Sequence, residues 1–272
     1  MPRIDIDEVL REKAPRFAKY IPRFVRNWLR RTIHEEALND ILAAGWNRPP
    51  QEFIHVAFER MRIAYRIDGL ERLDPAERYL FVANHPFGGL DGMMIADALI
   101  ERFGDARVVV NDLLMHVEPL QPIWLPVNKH GRQTAAYARR YDEAFAGELP
   151  ILTFPAGLCS RRRGGVVSGT PWRLNFIKRA HASGRKIVPL YVEGRLSDFF
   201  YRIARLRERL GIKLNVEMLW LPDEMFRQGG SRFRIVAGDP IAPDGLRGTL
   251  RQQADTVRGE VYRLKEKLPC TK

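Results

Sequence analysis

The chain has 272 residues, 45% of them hydrophobic, and a formal net charge of +12 at pH 7. This length and apolar content allow one large α/β domain with a sizeable core and exclude a largely disordered chain. The two cysteines, Cys159 and Cys270, are too few for a disulfide framework, so we expect a reducing, cytosolic location. The positive charge favours an anionic partner, a class that includes nucleic acid, an anionic membrane surface, and an acidic carrier or substrate.

The first 60 residues are predicted to be helical and to form a segment separate from an α/β domain of residues 61–272. Between Arg11 and Arg31, eight basic residues accompany a single acidic one. Apolar residues interleave with them at steps of three and four, which marks one face of a helix: Phe17, Ile21, Phe24, Val25, Trp28 and Leu29. We expect Pro15 and Pro22 to begin new helical segments, because proline is tolerated in a first turn but not in a helix interior.

A basic amphipathic helix with Trp and Phe on its apolar side is typical of segments that lie in a membrane interface. The same face also fits packing against the protein's own domain, and the sequence leaves both interpretations open. The stretch SDFFYRIARLRERLGIK at residues 197–213 has a similar character and offers a second membrane contact. No apolar run approaches the roughly 18 residues of a spanning helix, so we expect any membrane association to be peripheral.

Strand and helix patterns alternate after residue 61. Short apolar runs predict strands at residues 63–67, 79–83, 107–110, 123–127, 151–154, 187–192, 215–220 and 232–236. Helices are predicted at residues 92–103, 134–146, 171–182, 198–210 and 246–268. This order predicts an α/β fold with a largely parallel sheet, mixed at one edge and covered by helices. Such sheets bind ligands beyond the carboxyl ends of their strands.

The stretch NHPFGGLD, residues 84–91, follows the predicted strand 79–83 and holds a candidate catalytic pair. Gly88 and Gly89 permit backbone angles that let the chain fold back, so that Asp91 approaches His85. A carboxylate on one imidazole nitrogen leaves the other nitrogen able to take a proton from a hydroxyl. The alternative is a surface histidine beside an aspartate that caps the next helix.

A second cluster, TFPAGLCSRRRGG, follows the predicted strand 151–154. It contains Gly157 and Ser160 and then Arg161, Arg162 and Arg163 on a predicted loop. Guanidinium groups donate in a planar fork that suits phosphate and carboxylate, so this loop is a candidate anion-binding rim. A solvated charge run is the alternative.

Other candidate sites in the sequence are weaker. Lys129, in IWLPVNKHGRQTA, lies on a loop that is solvated by default. The six histidines show no metal-ligand spacing, so no metal site is predicted. The thiolate of Cys159 would be favoured by the neighbouring arginines, which keeps a cysteine–histidine enzyme among the alternatives.

Four sequence blocks occur in a fixed order over residues 60–195: Asn84-His85-Pro86-Phe87-Gly88-Gly89-Leu90-Asp91, Pro126-Val127-Asn128-Lys129, Phe154-Pro155-Ala156-Gly157-Leu158-Cys159-Ser160-Arg161 and Val188-Pro189-Leu190-Tyr191. In this order they resemble the lysophospholipid, or 1-acylglycerol-3-phosphate, acyltransferase (PlsC-like) family. The first block is similar to a bacterial hemolysin-like branch, some members of which acylate lyso-amino-acid lipids. Five residues separate His85 and Asp91 where the family usually has four, and Ala156 and Cys159 replace the family's Glu and Arg. Those two replacements weaken the case for a glycerol-phosphate acceptor.

The resemblance implies transfer of a fatty acyl chain from an acyl thioester to the hydroxyl of a lysolipid. The donor would be acyl carrier protein or coenzyme A, the acceptor lysophosphatidic acid or a lyso-amino-acid lipid, and no further cofactor is implied. His85 would be the general base and Asp91 its orienting partner. The implied substrate-binding residues are Asn84, Gly88, Gly89, Lys129, Gly157, Ser160, Arg161, Arg162 and Arg163. The resemblance and the positive net charge together imply a peripheral location on the cytoplasmic face of the bacterial inner membrane.

Two other functions compete with this one. A hydrolase on the same scaffold would use the His–Asp pair to activate water instead of a lipid hydroxyl. A non-catalytic basic protein would bind a membrane or nucleic acid, although no helix-turn-helix or aromatic RNA-binding pattern is present, so we expect no nucleic-acid partner.

Overall fold

The computed structural model describes residues 3–13, 15–127, 135–163, 166–212 and 215–268. The chain divides into two compact units. The first, the helical unit, comprises Met1–Ile63 and Leu196–Ser231. The second, the α/β unit, comprises Ala64–Arg195 and Arg232–Lys272. The helical unit therefore includes a segment, Leu196–Ser231, that the sequence division assigned to the α/β domain.

Eleven α-helices form within the described ranges. In chain order they are α1 (Ile6–Lys13), α2 (Pro15–Ala18), α3 (Arg23–Thr32), α4 (Glu35–Gly45), α5 (Pro50–Met61), α6 (Gly89–Phe103), α7 (Ala135–Ala146), α8 (Asn175–Ser183), α9 (Asp198–Arg209), α10 (Leu221–Arg227) and α11 (Leu250–Arg263). Pro15 begins α2 and Pro22 immediately precedes α3, as their helix-starting preference predicts. Within these ranges, no helix combines the length and the apolar character needed to cross a bilayer.

The strands form a seven-stranded sheet and a two-stranded hairpin. They are β1 (Ala64–Asp68), β2 (Tyr79–Ala83), β3 (Arg107–Asn111), β4 (Trp124–Val127), β5 (Ile151–Thr153), β6 (Arg161–Arg163), β7 (Val166–Ser168), β8 (Lys186–Val192) and β9 (Arg232–Ala237). The order in the large sheet is β1-β9-β8-β2-β5-β3-β4, and every neighbouring pair except β8–β9 is parallel. The predicted α/β fold with a mixed edge is thus confirmed.

Two secondary-structure predictions were wrong. The predicted strand 215–220 is instead a 3-10 helix, Val216–Trp220, in which the buried carboxylate of Glu217 lies 2.9 Å from Nε of Arg207 in α9. Short apolar runs carry too little periodicity to separate these two outcomes. The arginine triplet lies in β6, not in a loop, and pairs with β7 in antiparallel register.

Strand β2 is buried on both faces, which places the loop that follows it at the centre of the α/β unit. Leu80 and Val82 join a core cluster that includes Ile177 of α8 and Val257 of α11. Phe81, on the opposite face, packs against the ring of the last residue of α6 at a centroid distance of 5.9 Å. Alternate residues of one strand therefore contact different helical layers, as a sheet covered on both sides requires.

Candidate active site

Asn84, the first residue after β2, holds the neighbouring strand β8. Its side-chain amide donates to the carbonyl oxygen of Val192 at 2.8 Å, and its side-chain oxygen accepts the Val192 amide at 2.7 Å. The residue is only 5% exposed. These two hydrogen bonds fix the start of the NHPFGGLD loop against the end of β8. Asn84 was predicted to bind substrate, and that role stays a prediction. In the structure, its side-chain amide positions the loop against β8.

His85 and Asp91 meet across the glycine turn, as the sequence predicts. Nδ1 of His85 lies 2.9 Å from Oδ2 of Asp91, and the histidine side chain is 17% exposed while the carboxylate is fully buried. The backbone amides of Phe87 and Gly88 donate to the same carboxylate oxygen at 3.0 and 3.1 Å. Gly88 has φ 85° and ψ −121°, a conformation that a side chain would strain. Gly89 begins α6 in ordinary helical geometry.

The contact between the two side chains has the distance of a hydrogen bond but not its angle. Hydrogen bonds in active sites are often poorly aligned before substrate binds, so this geometry is compatible with a catalytic pair. Burial raises the pKa of Asp91, while His85 and the amides of Phe87 and Gly88 act in the opposite direction. The net change in the Asp91 pKa is upward, so burial outweighs the imidazole and the two amides, whose contacts favour the charged carboxylate.

The two candidate loops lie together because β2 and β5 are parallel neighbours. The ring of Phe154, just after β5, stacks on the imidazole of His85 with centroids 4.1 Å apart and planes inclined by 28°. The backbone amide of Ser160 donates to the carbonyl oxygen of His85 at 2.9 Å. The sequence predicts that both loops follow the ends of strands, where such sheets bind ligands, but it indicates no role for Phe154. Its position directly after a strand in the second cluster was the available signal.

The predicted anion-binding residues do not all face solvent. Arg161 is 4% exposed, and its guanidinium donates to the carbonyl oxygens of Cys159 and Ser160 at 3.0 and 3.3 Å. Arg162 is half-buried. Gly157 adopts φ 65° at the turn after β5. Their substrate-binding roles stay predictions.

Two further predicted binding residues have no described side chain. Lys129 lies outside the described residues, and Arg163 is described only as part of β6. Their roles therefore remain expectations from the sequence. Cys159 is completely buried, which removes the exposure that a nucleophilic thiol needs. Within the described ranges, no group of three or more His, Cys, Asp or Glu side chains is arranged to hold a metal ion.

The ring of Phe87 lies so close to Gly194, two residues after β8, that only glycine leaves room for it. A Cβ atom on Gly194, which has φ 140°, would lie 2.0 Å from the Phe87 ring. The same ring packs edge-on against Phe233 of β9 at a centroid distance of 5.0 Å. Because the amide of Phe87 donates to Asp91, this packing also fixes the carboxylate.

Comparison with known proteins agrees with this arrangement. Residues 8–271 match an acyltransferase family. The chain is 39% identical to a lyso-glycine lipid O-acyltransferase of Phocaeicola vulgatus, an alignment that covers 96% of this chain and 95% of that protein. It is 37% identical to the lyso-glycine lipid O-acyltransferase of Bacteroides thetaiotaomicron, over 96% of this chain and 97% of that protein.

Among solved structures, the fold is similar to that of the 1-acyl-sn-glycerophosphate acyltransferase PlsC from Thermotoga maritima. The TM-score is 0.50 at 14% sequence identity, over 97% of this chain and 98% of that one. The fold and the family match together define the class of protein: an α/β acyltransferase. The chain belongs to the acyltransferase family, in agreement with the resemblance of its four sequence blocks.

Proposed function

We propose that the protein transfers a fatty acyl chain from an acyl thioester to the hydroxyl of a lyso-amino-acid lipid of the lyso-glycine type. The single observation that carries the mechanism is the 2.9 Å contact between His85 and the buried Asp91. The acceptor class is supported by two relatives that align over nearly their whole length and are named lyso-glycine lipid O-acyltransferases.

His85 acts as the general base in this proposal. Nδ1 faces Asp91, so Nε2 on the opposite edge of the ring takes the proton of the acceptor hydroxyl. The oxygen attacks the thioester carbonyl carbon, the carbon–sulfur bond breaks, and the imidazolium returns its proton to the departing thiolate. Asp91 stabilises the imidazolium between these two proton transfers. No acyl-enzyme is needed, because the acceptor oxygen is itself the nucleophile.

The composition of the second cluster favours an acceptor other than lysophosphatidic acid. Ala156 is 6% exposed and apolar, and Arg161 is turned onto backbone carbonyl oxygens. A phosphate head group is normally held by exposed guanidinium groups or amides. An amino-acid head group carries a single carboxylate and needs fewer cationic partners.

The acyl donor is proposed to be acyl carrier protein or coenzyme A. Both are anionic, and the net charge of +12 favours their approach. The same charge, with the amphipathic helices, supports peripheral association with the anionic inner leaflet of a bacterial membrane.

A hydrolase is the competing function, because a His–Asp pair can also activate water. The discriminating experiment supplies purified protein with an acyl thioester and measures thiol release with lyso-glycine lipid, with lysophosphatidic acid and with no acceptor. We expect release and diacylated product to appear together and to depend on lyso-glycine lipid. Thiol release at the same rate without an acceptor would establish hydrolysis, and equal product from lysophosphatidic acid would overturn the proposed acceptor class.

A further inference from the structure

The helical unit carries large hydrophobic side chains that are exposed to solvent. Among the residues that the structure describes, all nine of them belong to Met1–Ile63 or Leu196–Ser231. They are Val9, Tyr20, Phe24, Trp28, Phe199, Leu206, Leu210, Ile212 and Leu219. Tyr20 and Phe24 are 72% and 73% exposed, which is unusual for aromatic side chains of a protein with an ample core.

The exposed apolar side chains form one stripe on α3 and another on α9, and Trp220 joins the two stripes into one surface. Its ring packs against Trp28 of α3 at a centroid distance of 5.6 Å and against Phe199 of α9 at 5.8 Å. On α3, Phe24 and Trp28 are four residues apart and share a face. On α9, Leu206 continues the stripe that Phe199 begins. The N-terminal helices and the segment Leu196–Ser231 therefore contribute adjacent apolar side chains.

A hydrogen bond and a ring contact tie the two chain segments together. Nε2 of His34, at the start of α4, lies 2.9 Å from Asp223 of α10. The imidazole also stacks on Phe226 with centroids 4.7 Å apart. These contacts fix the end of α3 relative to the segment that carries Trp220, so the apolar surface is formed before it meets any partner.

Exposed arginines border the apolar stripes. Arg23 and Arg31 are exposed on α3, and Arg202, Arg205 and Arg209 are exposed on α9. Trp and Phe beside arginine match the two layers of a membrane interface, since aromatic rings enter the acyl boundary while guanidinium groups reach lipid phosphates. The exposed arginines complement the negative charge of an anionic bilayer, and the aromatic and aliphatic side chains match its acyl boundary.

We propose that α3 and the segment Leu196–Ser231 form one composite surface, centred on Trp220, that binds an anionic lipid bilayer. The inference deepens the peripheral association included in the proposed function. Neither stripe suffices alone in this proposal, because each supplies only part of the apolar area and part of the positive charge.

Flotation with phosphatidylglycerol-containing vesicles tests the proposal, and no acyl donor or acceptor is present, so the result is independent of acyl transfer. We expect Phe24→Ser/Trp28→Ser and Leu206→Ser/Leu210→Ser each to weaken binding by about tenfold or more. Retention of wild-type binding by either variant would overturn the composite surface. Circular dichroism and the unfolding midpoint check that both variants stay folded.

A charge-matched pair of variants tests the role of the arginines. Arg205→Gln/Arg209→Gln removes two charges from the surface, and we expect binding to fall about 30-fold and to become less sensitive to salt. Arg232→Gln/Arg247→Gln removes two exposed charges from the α/β unit and is expected to bind nearly as wild type. Equal losses in the two variants would show a response to net charge alone. A dimer in light scattering that the Ser variants abolish would assign the surface to a second copy of the chain.

Discussion

The helical unit and the α/β unit differ in how far their large apolar side chains are buried. In the α/β unit, strand β2 is buried throughout, and the described residues of that unit include no large exposed hydrophobic side chain. In the helical unit, Phe24 and Leu206 face solvent at 73% and 56% exposure. A unit that holds a reacting pair needs a rigid core, whereas a unit that meets lipid needs apolar surface left uncovered. The difference predicts that catalysis and membrane binding respond to separate sets of mutations.

Asp91→Asn gives the sharpest separation of the two units. We expect acyl transfer to fall about 10³-fold, because an amide cannot stabilise the imidazolium, while vesicle binding is unchanged. The side-chain oxygen of Asn can still accept the amides of Phe87 and Gly88, so the loop should keep its structure. A variant that loses vesicle binding together with activity would break the proposed division of roles.

The same variant tests the electrostatics of the pair through protein stability. Burial raises the pKa of Asp91 in the folded protein, so the folded state binds this proton more tightly than the unfolded chain. The contribution of Asp91 to the free energy of unfolding is therefore greatest at low pH and declines as pH rises through the raised pKa. Asp91→Asn lacks this decline, and at neutral pH we expect its unfolding midpoint to equal or exceed that of wild type.

Substitution of Phe154 is expected to have a smaller effect on activity, and one that is limited to kcat. We expect Phe154→Leu to lower kcat about tenfold with little change in KM, because the lost ring contact orients His85 and does not bind substrate. Phe154→Tyr keeps the stacking ring and should restore most of the rate. Steady-state kinetics on both variants check this, and a rise in KM at unchanged kcat would instead indicate that Phe154 contacts the substrate.

The sequence predicted the α/β unit better than the helical unit, for physical reasons. Strand β2 was predicted at its observed bounds because a buried parallel strand is a continuous apolar run. The approach of Asp91 to His85 followed from the glycines between them, since the contact is local. The hydrogen bonds between Asn84 and Val192 join residues that are far apart in the chain, and a local sequence pattern does not predict such contacts.

In the helical unit, the sequence indicated that residues 197–213 are amphipathic, but it did not indicate that this segment packs beside the N-terminal helices. The contact of Trp220 with Trp28 depends on how Leu196–Ser231 returns to the N-terminal helices. Composition and periodicity describe one helix at a time, so they identified two apolar stripes without showing that the stripes meet. The buried pair of Arg207 and Glu217 likewise becomes apparent only when the 3-10 helix is placed beside α9.

The central claim, that His85 removes the proton of the acceptor hydroxyl, is tested most directly by acyl transfer to lyso-glycine lipid with His85→Ala. His55→Ala, which alters an exposed histidine of α5, is the matched control. We predict that His85→Ala loses at least about 10³-fold in turnover while it stays folded and keeps wild-type vesicle binding, and that His55→Ala keeps near-wild-type turnover. Turnover by folded His85→Ala within tenfold of wild type would contradict the account.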